Sequence, residues 1–329
     1  MRLALTQARK GLGATSPNPM VGALIVRDGK ILSRGYHHKA GMPHAEIEAL
    51  KKTKNSQGAT LYVTLEPCST HGRTGPCTEA VISAGIKRVT IGAIDPNPAH
   101  AGRGVEILRK AGIEVTAGVL AQECTDLNKA FNKWIVSKTP YVIAKAGMTL
   151  DGRITLPPGE GQWITDPKSR VDAQKLRAIV DAILVGAETV RADNPKLTVR
   201  GVRSAKQPWR VVLTRTGNLP AEAHLFTDEY KERTLVFKGL SLEEVLKELG
   251  GRGVTSLLIE GGGEILGQAF DARLVDEVVF YIAPILAGGP KVALAGLGAG
   301  STAESIHLEN VSYRRIGGDI RVSGKVALA

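Results

Sequence analysis

Short apolar runs with the length of β-strands alternate with helical segments along the chain, and this alternation constrains the fold more than any other feature. Val21–Val26 and Lys30–Arg34 are predicted strands, joined by Asp28-Gly29, which is a strong hairpin signal. A helix is predicted from Pro43 to about Lys52, because proline suits the first turn and acidic residues come early. Further strands are predicted at Leu61–Leu65, Lys87–Ala93 and Ile113–Val115, and further helices at Thr78–Ala84 and Val105–Ala111. The pattern predicts a three-layer α/β sandwich with a mixed sheet.

A second alternation begins near Ser137-Lys138-Thr139-Pro140, which predicts a domain boundary. At roughly 100–200 residues per domain, a chain of 329 residues accommodates two domains, predicted as 1–138 and 139–329. In the second, Asp166-Pro167 caps a helix through about Val180, and Ser241 with Glu244 forms a capping box. Strands are predicted at Tyr141–Ala146, Ala182–Val185, Arg210–Thr214, Thr234–Phe237, Ser256–Glu260 and Glu277–Ala283. Gly288–Gly300 is predicted as a loop or a short helix.

The composition excludes several classes of protein. Three cysteines are too few, and odd in number, for a disulfide framework, and they fit a reducing cytoplasm. No run approaches the ~20 apolar residues that cross a bilayer, and the first residues lack the apolar core of a secretory signal. We therefore expect a cytoplasmic protein without a membrane partner.

The net charge of +11 is unevenly distributed. Residues 1–138 carry 19 basic and 10 acidic residues, whereas the remainder is nearly balanced. A basic half can indicate a polyanionic or phosphorylated partner. A well-solvated surface explains the same excess without any partner, and charge alone favours that explanation.

Three potential zinc ligands occur close to predicted helix starts. His44 begins the helix that carries Glu46, Cys68 follows a strand, and Cys77 precedes another helix. One imidazole and two thiolates leave the fourth tetrahedral position of Zn²⁺ open, as in catalytic sites. Glu46 is the general acid/base candidate, because zinc deaminases use a glutamate that is not a ligand. The alternative, a surface histidine with two buried cysteines, is less consistent with the combined pattern.

The spacing of the two cysteines differs from the deaminase signature Cys-x-x-Cys. Eight residues, Ser69 to Pro76, separate Cys68 from Cys77, and they include Arg73. This segment can hold a substrate phosphate through Arg73 and backbone N–H groups. The alternative is an ordinary surface loop.

The chain resembles the bifunctional deaminase/reductase family of riboflavin biosynthesis in motifs that span both domains. In the first domain these are Ser16-Pro17-Asn18-Pro19-Met20-Val21-Gly22, Pro43-His44-Ala45-Glu46, Thr64-Leu65-Glu66-Pro67-Cys68-Ser69, Gly72-Arg73-Thr74, Pro76-Cys77, Asp95-Pro96-Asn97-Pro98 and Gly102-Arg103-Gly104. Leu127-Asn128, Phe131, Lys145 and Leu150-Asp151-Gly152-Arg153 continue the resemblance. It covers essentially the whole chain.

The resemblance implies a cytidine-deaminase-like α/β/α sandwich followed by a dihydrofolate-reductase-like α/β domain. It implies deamination of 2,5-diamino-6-(5-phospho-ribosylamino)pyrimidin-4(3H)-one with one Zn²⁺. Reduction of the ribosyl group with NADPH then gives 5-amino-6-(5-phospho-ribitylamino)uracil. The partner is thus a small phosphorylated pyrimidine and not a nucleic acid, and we expect a homo-oligomer.

The resemblance also implies site residues in the first domain. Asn18 contacts the pyrimidine or ribose, and His71 and Arg73 lie at the phosphate end of the substrate. The family has histidine two residues after the first cysteine, where this chain has Thr70, with His71 next. Met42 replaces a glutamate that the family has before His-Ala-Glu.

In the second domain, the glycines after a predicted strand indicate a phosphate site. Gly261-Gly262-Gly263 separates that strand from an apparent helix beginning at Glu264, although many such turns hold glycine only to end a strand. The resemblance assigns cofactor binding to Gly147, Trp163, Thr189, Asp193, Arg215, Gly262, Gly263, Glu264, Ile265, Leu266, Gly267 and Gln268. It assigns substrate binding to Gly161, Arg177, Leu197, Arg200 and Glu260. Lys145, Asp193 and Glu260 are the candidates for holding or protonating the opened sugar.

Two other classes remain as alternatives. A nucleic-acid base deaminase, such as a transfer-RNA adenosine deaminase, shares His-Ala-Glu and explains the basic first half. The long Cys–Cys spacing, the large second domain and an aromatic content of only 4% argue against it. The other class is a structural zinc or nucleotide-binding module without catalysis, which has no need for Glu46 beside an open zinc position.

Overall fold

The computed structural model describes residues 1–70, 75–98, 100–155 and 163–327. The chain divides into two compact units, Met1–Lys138 and Thr139–Ala329. Each unit has its own sheet and its own hydrophobic core.

The first unit alternates helices and strands. Its elements are α1 (Arg2–Ala8), β1 (Gly22–Arg27), β2 (Lys30–Tyr36), α2 (Ala45–Lys51), β3 (Thr60–Leu65), α3 (Cys77–Ser83), β4 (Arg88–Ala93), α4 (Arg103–Lys110), β5 (Glu114–Thr116), α5 (Ala121–Leu127) and α6 (Lys129–Ser137). The strands form one sheet in the order β2-β1-β3-β4-β5. β1 is antiparallel to β2 and β3, whereas β3, β4 and β5 are parallel.

Glycines bring two helices against the antiparallel end of this sheet. A Cβ atom on Gly22 of β1 would lie 2.0 Å from the Ala4 carbonyl oxygen of α1. A Cβ atom on Gly35 of β2 would lie 2.2 Å from the Ala45 carbonyl oxygen of α2. Because only glycine permits such close approach, Gly22 allows α1 and Gly35 allows α2 to pack directly on the sheet, and the zinc-ligand sequence begins at the start of α2.

The predicted elements of this unit are present, with shifted ends. The Asp28-Gly29 turn has positive φ at both residues, as a two-residue hairpin requires. The predicted helix start at Pro43 is wrong by two residues, because His44 is extended (φ −69°, ψ 162°) and serves as the N-cap residue. Helices α1, α5 and α6 were not predicted.

The second unit begins with its central strand. Its elements are β6 (Tyr141–Thr149), α7 (Pro167–Ile179), β7 (Ala182–Gly186), α8 (Ala187–Asp193), β8 (Trp209–Thr214), α9 (His224–Thr227), β9 (Thr234–Lys238), α10 (Leu242–Gly251), β10 (Ser256–Glu260), α11 (Gly263–Asp271), β11 (Glu277–Ala283), β12 (Leu308–Ile316) and β13 (Asp319–Val326). The predicted caps are present: Asp166 accepts from Lys168 N, and Ser241 and Glu244 form a reciprocal capping box.

The second sheet has the order β12-β13-β11-β6-β10-β7-β8-β9. Strands β11 to β9 in this order are parallel, whereas β13 is antiparallel to both β11 and β12. The carboxyl ends of the parallel strands therefore share one edge, where open α/β sheets bind ligands. The β12–β13 hairpin was not predicted, because these strands are mostly exposed or half-exposed and lack a continuous apolar run. Within the described residues, no helix is both long and apolar enough to span a bilayer.

Candidate active sites

Three side chains of the first unit converge at the starts of α2 and α3. His44 Nδ1 lies 3.5 Å from Cys68 Sγ and 3.3 Å from Cys77 Sγ. Their potential ligand atoms all lie within 4.8 Å of one another. A tetrahedral Zn²⁺ with ordinary bond lengths separates a nitrogen and a sulfur ligand by roughly 3.5 Å. The three donors therefore fit zinc and leave one position open.

The two cysteine thiols share a proton that a metal ion can replace. A hydrogen bond from the Cys77 thiol lowers the pKa of Cys68 to about 4. The same shared proton raises the pKa of Cys77, so the pair holds one proton between two sulfurs. Backbone N–H of Cys77 also points to Cys68 Sγ at 3.3 Å. A metal cation replaces that proton and ionises both thiols.

Glu46 lies in the first turn of α2, two residues after His44, and is only 3% exposed. Burial raises its pKa to about 7, against an opposing effect of the His44 charge. The carboxylate also interacts with the Cys77 thiol. A carboxyl group with this pKa exchanges a proton readily near neutral pH, which suits a general acid/base.

Asn18 is held by a buried histidine that the sequence analysis did not assign to the site. His37, 2% exposed, places Nδ1 3.1 Å from the Pro43 carbonyl oxygen, which can only accept. Its Nε2 is then the acceptor for the Asn18 Nδ2 group at 3.1 Å. Burial lowers the pKa of His37, in agreement with a neutral ring. One N–H of the Asn18 amide is thus engaged by His37, which fixes the orientation of the amide group.

Three predicted substrate contacts, His71, Arg73 and Gly161, lie outside the described residues. They stay predictions of the sequence analysis.

In the second unit, a cavity of about 1450 Å³ opens at the carboxyl ends of the parallel strands. It is lined by sixteen of the predicted residues: Lys145, Gly147, Trp163, Arg177, Thr189, Asp193, Leu197, Arg200, Arg215, Glu260, Gly262, Gly263, Glu264, Ile265, Leu266 and Gln268. Residues from β6, β7, β8 and β10 contribute, so the cavity crosses the sheet edge. Because the cavity extends past the ends of several strands, it can hold a dinucleotide beside a second ligand.

A buried carboxylate organises the charges in this cavity. Glu260 accepts hydrogen bonds from Arg177 Nε at 2.6 Å and Nη2 at 2.9 Å, and Lys145 Nζ lies 3.5 Å away. Burial alone would raise the pKa of Glu260, but Arg177 and Lys145 outweigh it and lower the pKa to about 2. Glu260 is therefore ionised at neutral pH and cannot deliver a proton. Asp193 differs, because burial without a charged partner raises its pKa.

The segment that carries Leu197 and Arg200 is fixed by side chains on both sides. Arg177 Nη1 donates to the Thr198 carbonyl oxygen at 3.1 Å, and Gln207 bonds both the N–H and the carbonyl of Val199. The buried Leu197 has a φ of 50°, a left-handed conformation that a residue with a side chain rarely adopts. Leu197 and Arg200, which this fixed segment carries, line the cavity.

Helix α11 presents its N-terminus to the cavity. Its N-cap residue, Gly262, has a φ of 73° and supplies no capping side chain, so the first N–H groups of the helix can bind a phosphate. The helix begins at Gly263, one residue before the predicted start. Gly267 does not line the cavity. A Cβ atom there would lie 2.3 Å from Gly296 N, so this glycine allows α11 to pack closely against the backbone at Gly296.

Three further cavity residues, Arg170, Tyr281 and Lys291, carry polar or charged groups and were not predicted. Arg170 places its guanidinium 5.0 Å above the Trp163 ring and donates to the Thr165 carbonyl oxygen at 2.7 Å. Tyr281, which pairs with Gly147 across the sheet, donates to Asp172 at 2.8 Å. Lys291 lies in the glycine-rich segment after β11. Arg170 lies about two helical turns before the predicted Arg177 in α7, a spacing that puts both side chains on one face of the helix and could have indicated Arg170.

Family comparisons match both units. Residues 1–93 match the cytidine and deoxycytidylate deaminase zinc-binding region. Residues 140–322 match the RibD C-terminal domain. Together with the two sites, these matches define a class of protein: an enzyme that carries a zinc-dependent deaminase and a reductase in one chain.

Full-length relatives specify the family. The riboflavin biosynthesis protein RibD of Aquifex aeolicus is 41% identical over 97% of this chain and 96% of its own. The Escherichia coli RibD is 40% identical over 97% and 96%, respectively. The chain belongs to the RibD family of riboflavin biosynthesis proteins.

Solved structures agree with this assignment. Acinetobacter baumannii RibD superposes with a TM-score of 0.92 and 36% identity, over 99% of this chain and 98% of that one. A Thermotoga maritima diaminohydroxyphosphoribosylaminopyrimidine deaminase/5-amino-6-(5-phosphoribosylamino)uracil reductase superposes with a TM-score of 0.90 and 37% identity, over 99% and 97%. The predicted family, fold class, enzyme class, and zinc and NADPH cofactors are confirmed. The nucleic-acid deaminase alternative is not favoured.

Proposed function

We propose that Met1–Lys138 deaminates 2,5-diamino-6-(5-phospho-ribosylamino)pyrimidin-4(3H)-one and that Thr139–Ala329 then reduces its ribosyl group. The product is 5-amino-6-(5-phospho-ribitylamino)uracil. The observation that carries this proposal is the convergence of His44, Cys68 and Cys77 beside the buried Glu46. The name of the Thermotoga maritima relative, which states the same two activities, supports the choice of substrate.

In the deaminase site, His44, Cys68 and Cys77 hold Zn²⁺, which when bound supplies a Lewis acid that activates water. Glu46 would accept one proton from the attacking water as the water oxygen bonds to the carbon that bears the amino group. The same carboxyl group would return that proton to the departing nitrogen, so that the C–N bond breaks and ammonia leaves, while the second water proton moves to the ring nitrogen as the carbonyl forms. The raised pKa of Glu46 makes both transfers accessible near neutral pH.

Asn18 orients the substrate in this site. Because His37 fixes the orientation of the amide, Oδ1 of Asn18 can accept a hydrogen bond from a donor on the pyrimidine or ribose. His71 and Arg73 are proposed to bind the phosphate end, as the resemblance implies.

When bound in the reductase site, NADPH would supply the hydride that reduces the opened ribosyl chain. The N–H groups at the start of α11 and the glycines before it hold the cofactor phosphates. Glu260 fixes Arg177 and Lys145, and we assign the proton delivery to Asp193 or Lys145, since Glu260 stays ionised. Arg200 forms no ion pair with another described residue and is the proposed clamp for the substrate phosphate.

The assignment is tested by following both reactions in one preparation. Ammonia release from the diaminopyrimidine phosphate should precede NADPH oxidation, and only the deaminated product should support oxidation. NADPH oxidation with no prior ammonia release would contradict the proposed order. A homo-oligomeric state and a cytoplasmic location are further proposals, for which size-exclusion chromatography with light scattering and cell fractionation are the tests.

A further inference from the structure

Three sequence motifs of the first unit have no role in the chemistry described above. They are the glutamate of Glu66-Pro67-Cys68, the turn Asp95-Pro96-Asn97-Pro98 and the glycines of Gly102-Arg103-Gly104. In the folded chain all three meet at one carboxylate, that of Glu66, which is 4% exposed.

Glu66 accepts four backbone hydrogen bonds. Its Oε2 receives the N–H of Asp95 at 3.2 Å and that of Gly102 at 3.0 Å. Its Oε1 receives the N–H of Gly104 at 2.8 Å and that of Val105 at 3.3 Å. An ionised carboxylate only accepts hydrogen bonds, and it has enough lone pairs for all four donors.

Two of these hydrogen bonds cap the N-terminus of α4 with a side chain that does not belong to the helix. The N-cap residue of α4, Gly102, has no side chain to offer, and its φ of 83° is accessible to glycine. Glu66 supplies the missing acceptor to the first turn of α4, and its negative charge faces the positive end of the helix.

The same hydrogen bonds also hold α4 against Pro67, the residue before the zinc ligand Cys68. A Cβ atom on Gly104 would lie 2.3 Å from the Pro67 carbonyl oxygen. Only glycine permits this contact, so the second glycine of the motif lets α4 support Pro67. On its other side Cys68 is tied to α3, because its carbonyl oxygen accepts from Thr78 N at 3.2 Å. Cys68 therefore lies between two attachments, one of which depends on Glu66.

We propose that Glu66 is a positioning residue that holds Cys68 in place for zinc by fixing the segment from Asp95 to Val105 against Pro67. The proposal rests on the proposed zinc site of the deaminase. It assigns Glu66 no proton transfer and no contact with substrate. Loss of its bonds frees Pro67 and Cys68 to move, so the metal leaves faster and deamination slows, while reduction in the second unit continues.

The test measures zinc release from the full-length holoenzyme to the chelator 4-(2-pyridylazo)resorcinol. Glu66→Gln keeps the size of the side chain but turns an NH₂ group toward one pair of N–H donors. Glu66→Asp keeps the charge and shortens the reach. Both variants should release zinc about 10- to 100-fold faster than the unchanged chain, the usual effect of removing a group that supports a metal ligand.

Thr60→Ala is the matched control, since the buried Thr60 hydroxyl accepts from Arg88 Nε at 3.1 Å at the start of β3, the end of that strand opposite Cys68. It should lower the thermal midpoint without faster zinc release, and reductase activity should be unchanged in all variants. Zinc release at the unchanged rate in both Glu66 variants, or equally fast release from Thr60→Ala, overturns the proposal. If Glu66→Gln does not fold, Glu66→Asp against Thr60→Ala decides. Absence of zinc from the unchanged chain would instead contradict the proposed function itself.

Discussion

Three buried glutamates of this chain have different environments and therefore different roles. Burial raises the pKa of Glu46 to about 7, although the His44 charge lowers it. Glu66 is surrounded by backbone N–H donors, whereas Glu260 binds Arg177 and Lys145 and has a pKa of about 2. One residue type thus provides a proton carrier, a structural acceptor and a permanent anion.

Glu46→Gln is expected to abolish deamination without removing zinc. The amide is similar in size but cannot carry the proton, so ammonia release should fall by about 10²- to 10⁴-fold. Zinc content by atomic absorption and reductase activity should stay unchanged. Substantial deamination by a zinc-loaded Glu46→Gln preparation would contradict the proton-transfer role.

Glu260 should make the second unit sensitive to acid. Its folded pKa of about 2 lies below the ordinary value of 4.5, so its stabilising contribution is present above pH 4.5 and is lost as the pH falls toward 2. Between pH 5 and pH 3 this amounts to roughly 2 kcal/mol. Urea unfolding at the two pH values should show a smaller decrease in Glu260→Gln.

The control for this experiment is Glu248→Gln, which removes an exposed ion pair with Arg252. That variant should keep the pH dependence of the unchanged chain. An equal decrease in Glu260→Gln and in the unchanged chain would show that Glu260 does not titrate as described. At pH 7, Glu260→Gln should also be less stable, because Arg177 loses its buried partner.

At the scale of elements, the glycines of α11 have two separate tasks. Gly262 forms the left-handed N-cap at the cavity, whereas Gly263 and Gly267 permit contact with the segment from Val292 to Gly296. A sequence run of glycines cannot distinguish these tasks, since both require a residue without Cβ. Gly267 was therefore placed among the cofactor contacts by resemblance, whereas in the structure it packs against Ala295 and Gly296.

Gly267→Ala should destabilise the second unit by about 1–3 kcal/mol, because the added Cβ would lie 2.3 Å from Gly296 N. NADPH binding, measured by fluorescence titration, should weaken as α11 shifts. Gly251→Ala in α10 is the matched control, since a Cβ atom there meets no atom within 4 Å. Equal stability of the two variants would refute the close-contact interpretation.

Sequence patterns predicted elements well where one signal was strong. The Asp28-Gly29 hairpin and the Ser241–Glu244 capping box are determined locally, and both are present. The roles of Glu66 and His37 could not be predicted from the sequence, because they depend on backbone groups that the fold brings together, such as the Pro43 carbonyl. The zinc ligands could be recognised because the metal itself demands those residue types.

At the scale of the whole molecule, the two sites have separate requirements. His44, Cys68 and Cys77 lie in Met1–Lys138, and the cavity around Glu260 lies in Thr139–Ala329. Each sheet and core belongs to one unit. Removal of the metal should therefore affect one reaction only.

Dialysis against a strong chelator is expected to stop ammonia release and to leave NADPH oxidation intact when the deaminated compound is supplied. Adding Zn²⁺ back should restore ammonia release. The two rates are followed separately, by an ammonia assay and by absorbance of the reduced nicotinamide. Loss of both activities on chelation would show that the second unit depends on the metal.

The strand order of the second sheet has a consequence for synthesis. Tyr141 in the central strand β6 pairs with Ser256 of β10, and Ile143 pairs with Glu277 of β11. During synthesis, β6 therefore stays unpaired until its partner strands β10 and β11 have been made, much later in the chain. In contrast, β1 and β2 can pair as soon as both have been synthesised. Stalled nascent chains ending near residue 200 should show a protease-resistant first unit and a cleavable β6. The unit that holds the zinc ligands is complete first, and the buried strand β6 of the other unit stays without its neighbours until β10 and β11 have been made.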